Sequence, residues 1–221
     1  MTASPSHTVF VVDDDAAVRK AVARLLRSAG IAVAAFASPR EFLGQYDPAR
    51  PGCLVLDIAM PDFSGLELQT KLGEKGCILP IIFLTGQGDV SKSVQAMKRG
   101  AFDFLSKPVK DKDLLMAVRA ALERDAVARW EQAKLSEIST RLGTLTPRER
   151  EVLDHVVAGK LNKQIAGDMG ITEATVKMHR ARVMAKMKVQ SVAELARLTE
   201  RCAIQLTDRN GETEHRPAWP L

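Results

Sequence analysis

Cysteine is scarce in this chain. Cys53, Cys77 and Cys202 are the only three in 221 residues, and none falls in a CxxC spacing. So odd and sparse a set argues against a disulfide framework and points to a reducing compartment. The four histidines are scattered and offer no metal site. No apolar run approaches the length of a membrane span, so no membrane association is expected. The amino-terminal MTASPSH lacks the basic and apolar regions of a secretion signal, which makes the cytoplasm the expected location. Internal repeats are absent too.

What remains has the composition of an ordinary soluble protein, with 46% hydrophobic and 27% charged residues. Its length suffices for two domains, each with a core of its own. The net charge of +5 is unevenly spread. Residues 1–122 hold 15 Lys+Arg against 13 Asp+Glu, and residues 123–142 balance at 4 against 4. Residues 143–206 hold 11 against 7, and residues 207–221 hold 2 against 3. Within Glu173–Lys188 there are five basic residues and one acid, which points to a polyanionic partner. The plainer alternative is a solvated basic helix.

The first half alternates short apolar runs with helical periodicity. Strands are predicted at Thr8–Val12, Ile31–Ala35, Cys53–Leu56, Ile81–Leu84 and Phe102–Leu105. Helices are predicted at Ala16–Ala29, Pro39–Tyr46, Gly65–Glu74 and Val90–Arg99, with a fifth beginning near Asp111. Five βα units in succession predict an α/β domain, a doubly wound parallel sheet with helices on both faces, over residues 1–122. Residues 123–142 contain no Gly or Pro and continue the fifth helix as a linker. Leu135, Ile138 and Leu142 have a possible coiled-coil spacing over too few turns to decide between a dimer-forming linker and a solvated spacer. An all-α domain follows at 143–206. Thr146-Pro147-Arg148-Glu149 opens its first helix, Asn162–Met169 and Thr172–Met187 flank a tight Gly170-Ile171 turn, and Ser191 caps a fourth helix to about Gln205. Two helices across a glycine turn, the second basic, predict a helix-turn-helix. The polar tail, 207–221, is expected to be flexible.

Chemistry concentrates at the strand ends. Asp13, Asp14 and Asp15 follow the first strand, Asp57 the third, Thr85 the fourth and Lys107 the fifth. In a parallel sheet these ends share one edge, where open α/β sheets place their ligands. Clustered carboxylates repel unless a hard cation neutralises them, and Mg²⁺ suits such an open pocket. Asp57 can then attack an electrophilic phosphorus, with Lys107 and Thr85 available to the phosphoryl oxygens. The plainer alternative is that the aspartates cap helices and Lys107 forms a surface salt bridge. An aspartate-nucleophile phosphatase would use the same first step. Such enzymes that resemble haloacid dehalogenases carry a second aspartate two residues after the nucleophile, where this chain has Ala59.

On the basic helix, Val176, Val183 and Met187 share one face, while Lys177, Met178, Ala181, Arg182 and Lys186 fall broadly on the other. Lysine reaches guanine acceptors and apolar groups meet thymine methyls, whereas Thr175, Arg182 and Lys186 suit phosphates.

The set DDD, LDIAMPDFSG, LTG and SKP resembles the receiver domain of two-component response regulators over residues 8–122. The resemblance implies phosphorylation of Asp57 by a sensor histidine kinase. It also implies Mg²⁺ held by Asp14, Asp57, the backbone carbonyl of Ala59 and, through water, Asp13, with Thr85 and Lys107 on the phosphoryl group. Phe104 would be the aromatic residue that turns inward as Thr85 moves, although a plain core role is the alternative on sequence alone. Ala59 and Gln87 match positions that tune phosphate lifetime, and neither is charged. LTPREREVL and NKQIAGDMGITEATVKMHRARVMAKM resemble the output domain of NarL, FixJ and LuxR-type regulators, nearest the FixJ branch. This implies recognition by Lys177 and Met178, phosphate contacts from Thr175, His179 and Arg182, and dimerisation through the last helix. Together they imply a transcription activator that dimerises on phosphorylation and works on promoter DNA with RNA polymerase as a further partner. It would be no enzyme beyond its own aspartyl phosphorylation and dephosphorylation. The alternative is a phosphorylation-independent DNA-binding protein or adaptor with a receiver-like domain.

Overall fold

The computed structural model describes residues 7–61, 63–86 and 90–200, without the side chains of 90–93. Two compact units divide between Trp130 and Glu131. Among the described residues no helix is long and apolar enough to cross a membrane.

The first unit is a five-stranded, wholly parallel sheet in the order β2-β1-β3-β4-β5. Its strands are β1 (Thr8–Val12), β2 (Ala32–Phe36), β3 (Gly52–Asp57), β4 (Ile81–Thr85) and β5 (Asp103–Ser106). Between them run α1 (Ala16–Ser28), α2 (Pro39–Gln45), α3 (Gly65–Glu74) and α4 (Val90–Lys98), and α5 (Asp111–Gly143) follows. Side chains alternate across the pleat, so each strand feeds two cores. Val9, Val11, Cys53 and Val55 pack with Val22 and Leu26 of α1 and Leu114 and Val118 of α5. Phe10, Val12, Leu54 and Leu56 pack with Phe42 of α2, Leu68 and Leu72 of α3 and Ala96 of α4. The three central strands are fully buried, as their unbroken apolar runs require.

The predicted elements are all present, with edges shifted by a residue or so. The second strand begins at Ala32 because Ile31 still donates its N–H to Leu26 O at the end of α1. The third and fourth strands run further than predicted and end on Asp57 and Thr85 themselves. These two side chains are therefore placed by sheet register. The order also reverses beside β1, since β2 lies on one side and β3 on the other, and this switch point opens a crevice between the ends of β1 and β3.

Far from that edge, buried Asp125 of α5 accepts from Gly52 N at 2.8 Å and from Arg129 Nε at 2.8 Å. Arg129 donates in turn to the carbonyls of Pro48 and Arg50, both at 3.0 Å. A β-carbon at Gly52 would collide with the Thr8 carbonyl, so only glycine permits this close junction.

In the second unit, α6 (Pro147–Val157), α7 (Asn162–Met169), α8 (Glu173–Met187) and α9 (192–200) surround one core. Thr146 caps α6 in a full capping box with Glu149. Gly170 ends α7 at φ 64°, ψ 33°, and the chain enters α8 after a single further residue and its Thr172 cap. The last turns of α5 belong here: Ile138 is buried among Val152, Val183 and Met187, and Leu142 packs beside it. Two of the three residues with coiled-coil spacing are thus spent on this core. Gln87, residues 201–205 of the predicted last helix and the 207–221 tail lie outside the described residues.

Candidate functional site

Asp57 ends β3 at 6% exposure, and Asp13, just past β1, is fully buried. Lys107 Nζ lies 2.8 Å from Asp13 Oδ2 and 3.1 Å from Asp57 Oδ1, bridging the two. Asp13, Asp14 and Asp57 each offer a carboxylate oxygen, and these oxygens lie within 4.8 Å of one another. Asp14 is exposed, so the cluster opens to solvent on one side. An all-oxygen donor set of this size fits a hard divalent cation that keeps several waters.

Asp15, third in the DDD run, does something else. Its side chain accepts from Ala17 N and Val18 N and caps α1. The helix-capping alternative is therefore correct for that one aspartate. Arg19, which no spacing rule singled out, holds the loop by donating to Asp13 O at 2.6 Å and Asp14 O at 3.3 Å.

Burial pushes the Asp57 carboxyl above its ordinary range. The bond and charge of Lys107 offset part of this, Asp13 adds to it, and an N–H donated by Ala59 lowers it again. Burial alone would lower the Lys107 ammonium, but its contacts with Asp13 and Asp57 outweigh that and hold it above the usual value. The arrangement is a basic, solvent-shielded carboxylate with a fixed cation at its side. Such a group suits nucleophilic attack more than a well-solvated carboxylate does.

Thr85 ends β4 almost fully buried, and its carbonyl accepts from Lys107 N at 2.7 Å, which ties the loop after β5 to β4. The Lys107-Pro108 peptide is cis. Gly65 N donates to Ile58 O, and a β-carbon at Gly65 would collide with the carbonyl oxygen of Asp57. The start of α3 can approach β3 only because this residue has no side chain. Phe104 is 46% exposed on β5, so the plain core role does not hold. Val94 and Met97 of α4 are exposed as well, at 50% and 42%.

The second candidate surface is α8. Val176, Val183 and Met187 are buried, while Lys177, Met178, Ala181 and Arg182 are exposed together on the opposite side. Thr175 Oγ1 is 2.8 Å from Thr172 Oγ1 at the helix start. His179 is half-buried with its Nδ1 enclosed and unpaired. Arg180 donates to Asn162 Oδ1 at 2.7 Å, joining α8 to α7. Lys186 departs from the expected outward role. Its Nζ lies 2.6 Å from Glu149 Oε2 and donates to Thr144 O at 3.0 Å, because it sits on the flank of α8 nearest the start of α6. Its charge is committed inside the domain.

Comparison with known proteins gives both halves a family. Residues 9–119 match the response regulator receiver domain, and residues 143–199 match the bacterial regulatory proteins of the luxR family. Nodulation protein W of Bradyrhizobium diazoefficiens is 46% identical over 202 residues, covering 91% of this chain and 89% of that protein. The transcriptional regulatory protein FixJ of Azorhizobium caulinodans is 46% identical over 193 residues, covering 87% and 92%. Among solved structures, response regulator StyR superposes with a TM-score of 0.82 at 44% identity, over 89% of this chain and 99% of that one.

Proposed function

Because this chain belongs to the two-component response regulators that join a receiver domain to a LuxR-type DNA-binding domain, we propose that phosphoryl transfer to Asp57 controls DNA reading by α8. The donor in this reading is the phosphohistidine of a sensor kinase. An Asp57 oxygen attacks phosphorus, an O–P bond forms, the N–P bond breaks, and the leaving imidazole takes a proton. Lys107 shifts its ion pair from Asp57 to a phosphoryl oxygen, and the Thr85 hydroxyl donates to another. Mg²⁺ bound by Asp13, Asp14, Asp57 and the Ala59 carbonyl would supply charge neutralisation between the carboxylates and the incoming phosphoryl group. The observation that carries this reading is Lys107 bridging Asp13 and Asp57 with Asp14 beside them.

The exposed apolar side chains of Val94 and Met97 support a dimer surface formed by α4 and β5 once Phe104, exposed here, turns inward. Pairing would bring two α8 helices to successive major grooves and raise affinity through effective concentration. Lys177 and Met178 would read base edges, with Thr175, His179 and Arg182 on phosphates. The protein acts in the cytoplasm as an activator that engages RNA polymerase, and its only catalysis is on its own aspartyl phosphate.

Acetyl phosphate with Mg²⁺ tests this. The wild type should gain an alkali-labile, hydroxylamine-sensitive phosphate, become dimeric and protect DNA more strongly, and Asp57→Asn should do none of these. Equal protection and equal size with and without the donor would sink the phosphoswitch and favour the phosphorylation-independent reading.

A further inference from the structure

The match to the luxR family begins at residue 143, yet a side chain before it bonds the end of α8. Arg141, in the last turn of α5, donates from Nη1 to Met187 O at 3.0 Å and from Nη2 to Glu137 Oε1 at 2.6 Å. Met187 is the last residue of α8, where carbonyls lack intrahelical partners and a cation is favoured. The chain turns there through Lys188 at φ 55°, the one described non-glycine residue with positive φ. That turn is closed by Lys188 N on Ala185 O and Val189 N on Met184 O, which leaves Met187 O for the guanidinium. Buried Ile138 and half-buried Leu142, on the same turns of α5, join the core that also holds Val183 and Met187. The Nε of Arg141 is buried with no partner of its own, so its ordering rests on the Met187 and Glu137 contacts. The side chain is thus built into the back of α8, opposite the exposed Lys177 and Met178.

We infer that Arg141, held by Glu137, is a positioning residue of the DNA reader: the linker helix sets the seating of α8 and thereby the discrimination between DNA sequences. The inference rests on the DNA-binding reading of α8. Base-edge hydrogen bonds depend steeply on the placement of the helix, whereas phosphate contacts tolerate small shifts. Loosening the back of α8 should therefore lower affinity for a preferred sequence and leave general DNA affinity nearly unchanged.

The test uses the full chain, a duplex enriched from a random pool by the wild type, and a scrambled duplex of equal length. Arg141→Gln is expected to weaken the enriched duplex about tenfold and the scrambled one by no more than roughly twofold, with the salt slope unchanged. A direct phosphate contact would instead weaken both equally and flatten the slope by about one. That result, or an unchanged ratio, would overturn the inference. If Arg141→Gln does not fold, as judged by its thermal transition, Glu137→Gln decides. Removing that exposed negative charge should tighten both duplexes by simple electrostatics, whereas a positioning role predicts a smaller ratio between them. Tighter binding with an unchanged ratio overturns it. A wild type that enriches no sequence would overturn the DNA reading itself, an outcome distinct from a lost ratio in a variant of a working binder.

Discussion

Asp57 and Glu149 are both buried carboxylates facing a lysine, and they are shifted in opposite directions. At Glu149, the bond from Lys186 and the N–H and hydroxyl of Thr146 outweigh burial and hold the acid down, to about 2. One cation serves one carboxylate at a helix N-terminus, where backbone donors already favour negative charge. At Asp57, one lysine is divided between two carboxylates, burial dominates, and the acid is pushed up. The first arrangement is satisfied and serves as a strut. The second has more negative charge than its fixed partners neutralise, a state that favours uptake of a cation. The difference is one of count and placement, since the residue types are the same.

The largest effect should come from Lys107→Met, which removes the cation that bridges two buried acids. Urea denaturation without divalent ions should show a loss of about 2–3 kcal/mol, and millimolar Mg²⁺ should recover part of it. A deficit that Mg²⁺ leaves untouched would mean that the three aspartates do not form a cation site.

Glu149→Gln tests the other member of the pair. A carboxylate whose folded value lies below its ordinary 4.5 stabilises the fold above that pH, and the stabilisation is lost as pH falls through about 2. The variant should therefore melt below the wild type at neutral pH, with the gap closing between about 4.5 and 2. A gap that stays constant over that window would remove Glu149 from the account.

The smallest effect concerns a helix start with no carboxylate or hydroxyl. Leu161 occupies the N-cap of α7 at 70% exposure and makes no side-chain cap bond, and only Gln164 reaches back to its N–H. Leu161→Ser should raise stability by about 0.5–1 kcal/mol, measured by thermal melting.

The receiver pocket was largely legible because its residues punctuate strands. An apolar run that ends in Asp57, Thr85 or the loop before Lys107 marks its own terminus, and parallel pairing brings such termini to one edge whatever the details. The separate fates within DDD were not legible, because adjacent aspartates differ only in where the turn into α1 points them. Phe104 and Lys186 show the same limit. One is exposed on an edge strand, and the other lies on a helix flank that meets the start of α6. Neither neighbourhood is local in sequence.

The order of elements, the packing of both sheet faces, the convergence of acids and lysine on one edge, and the basic face of α8 were readable from the chain alone. Periodicity and strand termini are local properties of the chain, and pairing rules carry them to three dimensions. Three-dimensional packing was needed to show that Lys107 is shared between two carboxylates while Lys186 serves one, that Ile138 and Leu142 enter the core of the second unit, and that Arg141 bonds the last carbonyl of α8. Those outcomes depend on contacts between residues tens of positions apart. Their strength is set by burial and by the number of partners a charge must serve, which the order of residues does not record.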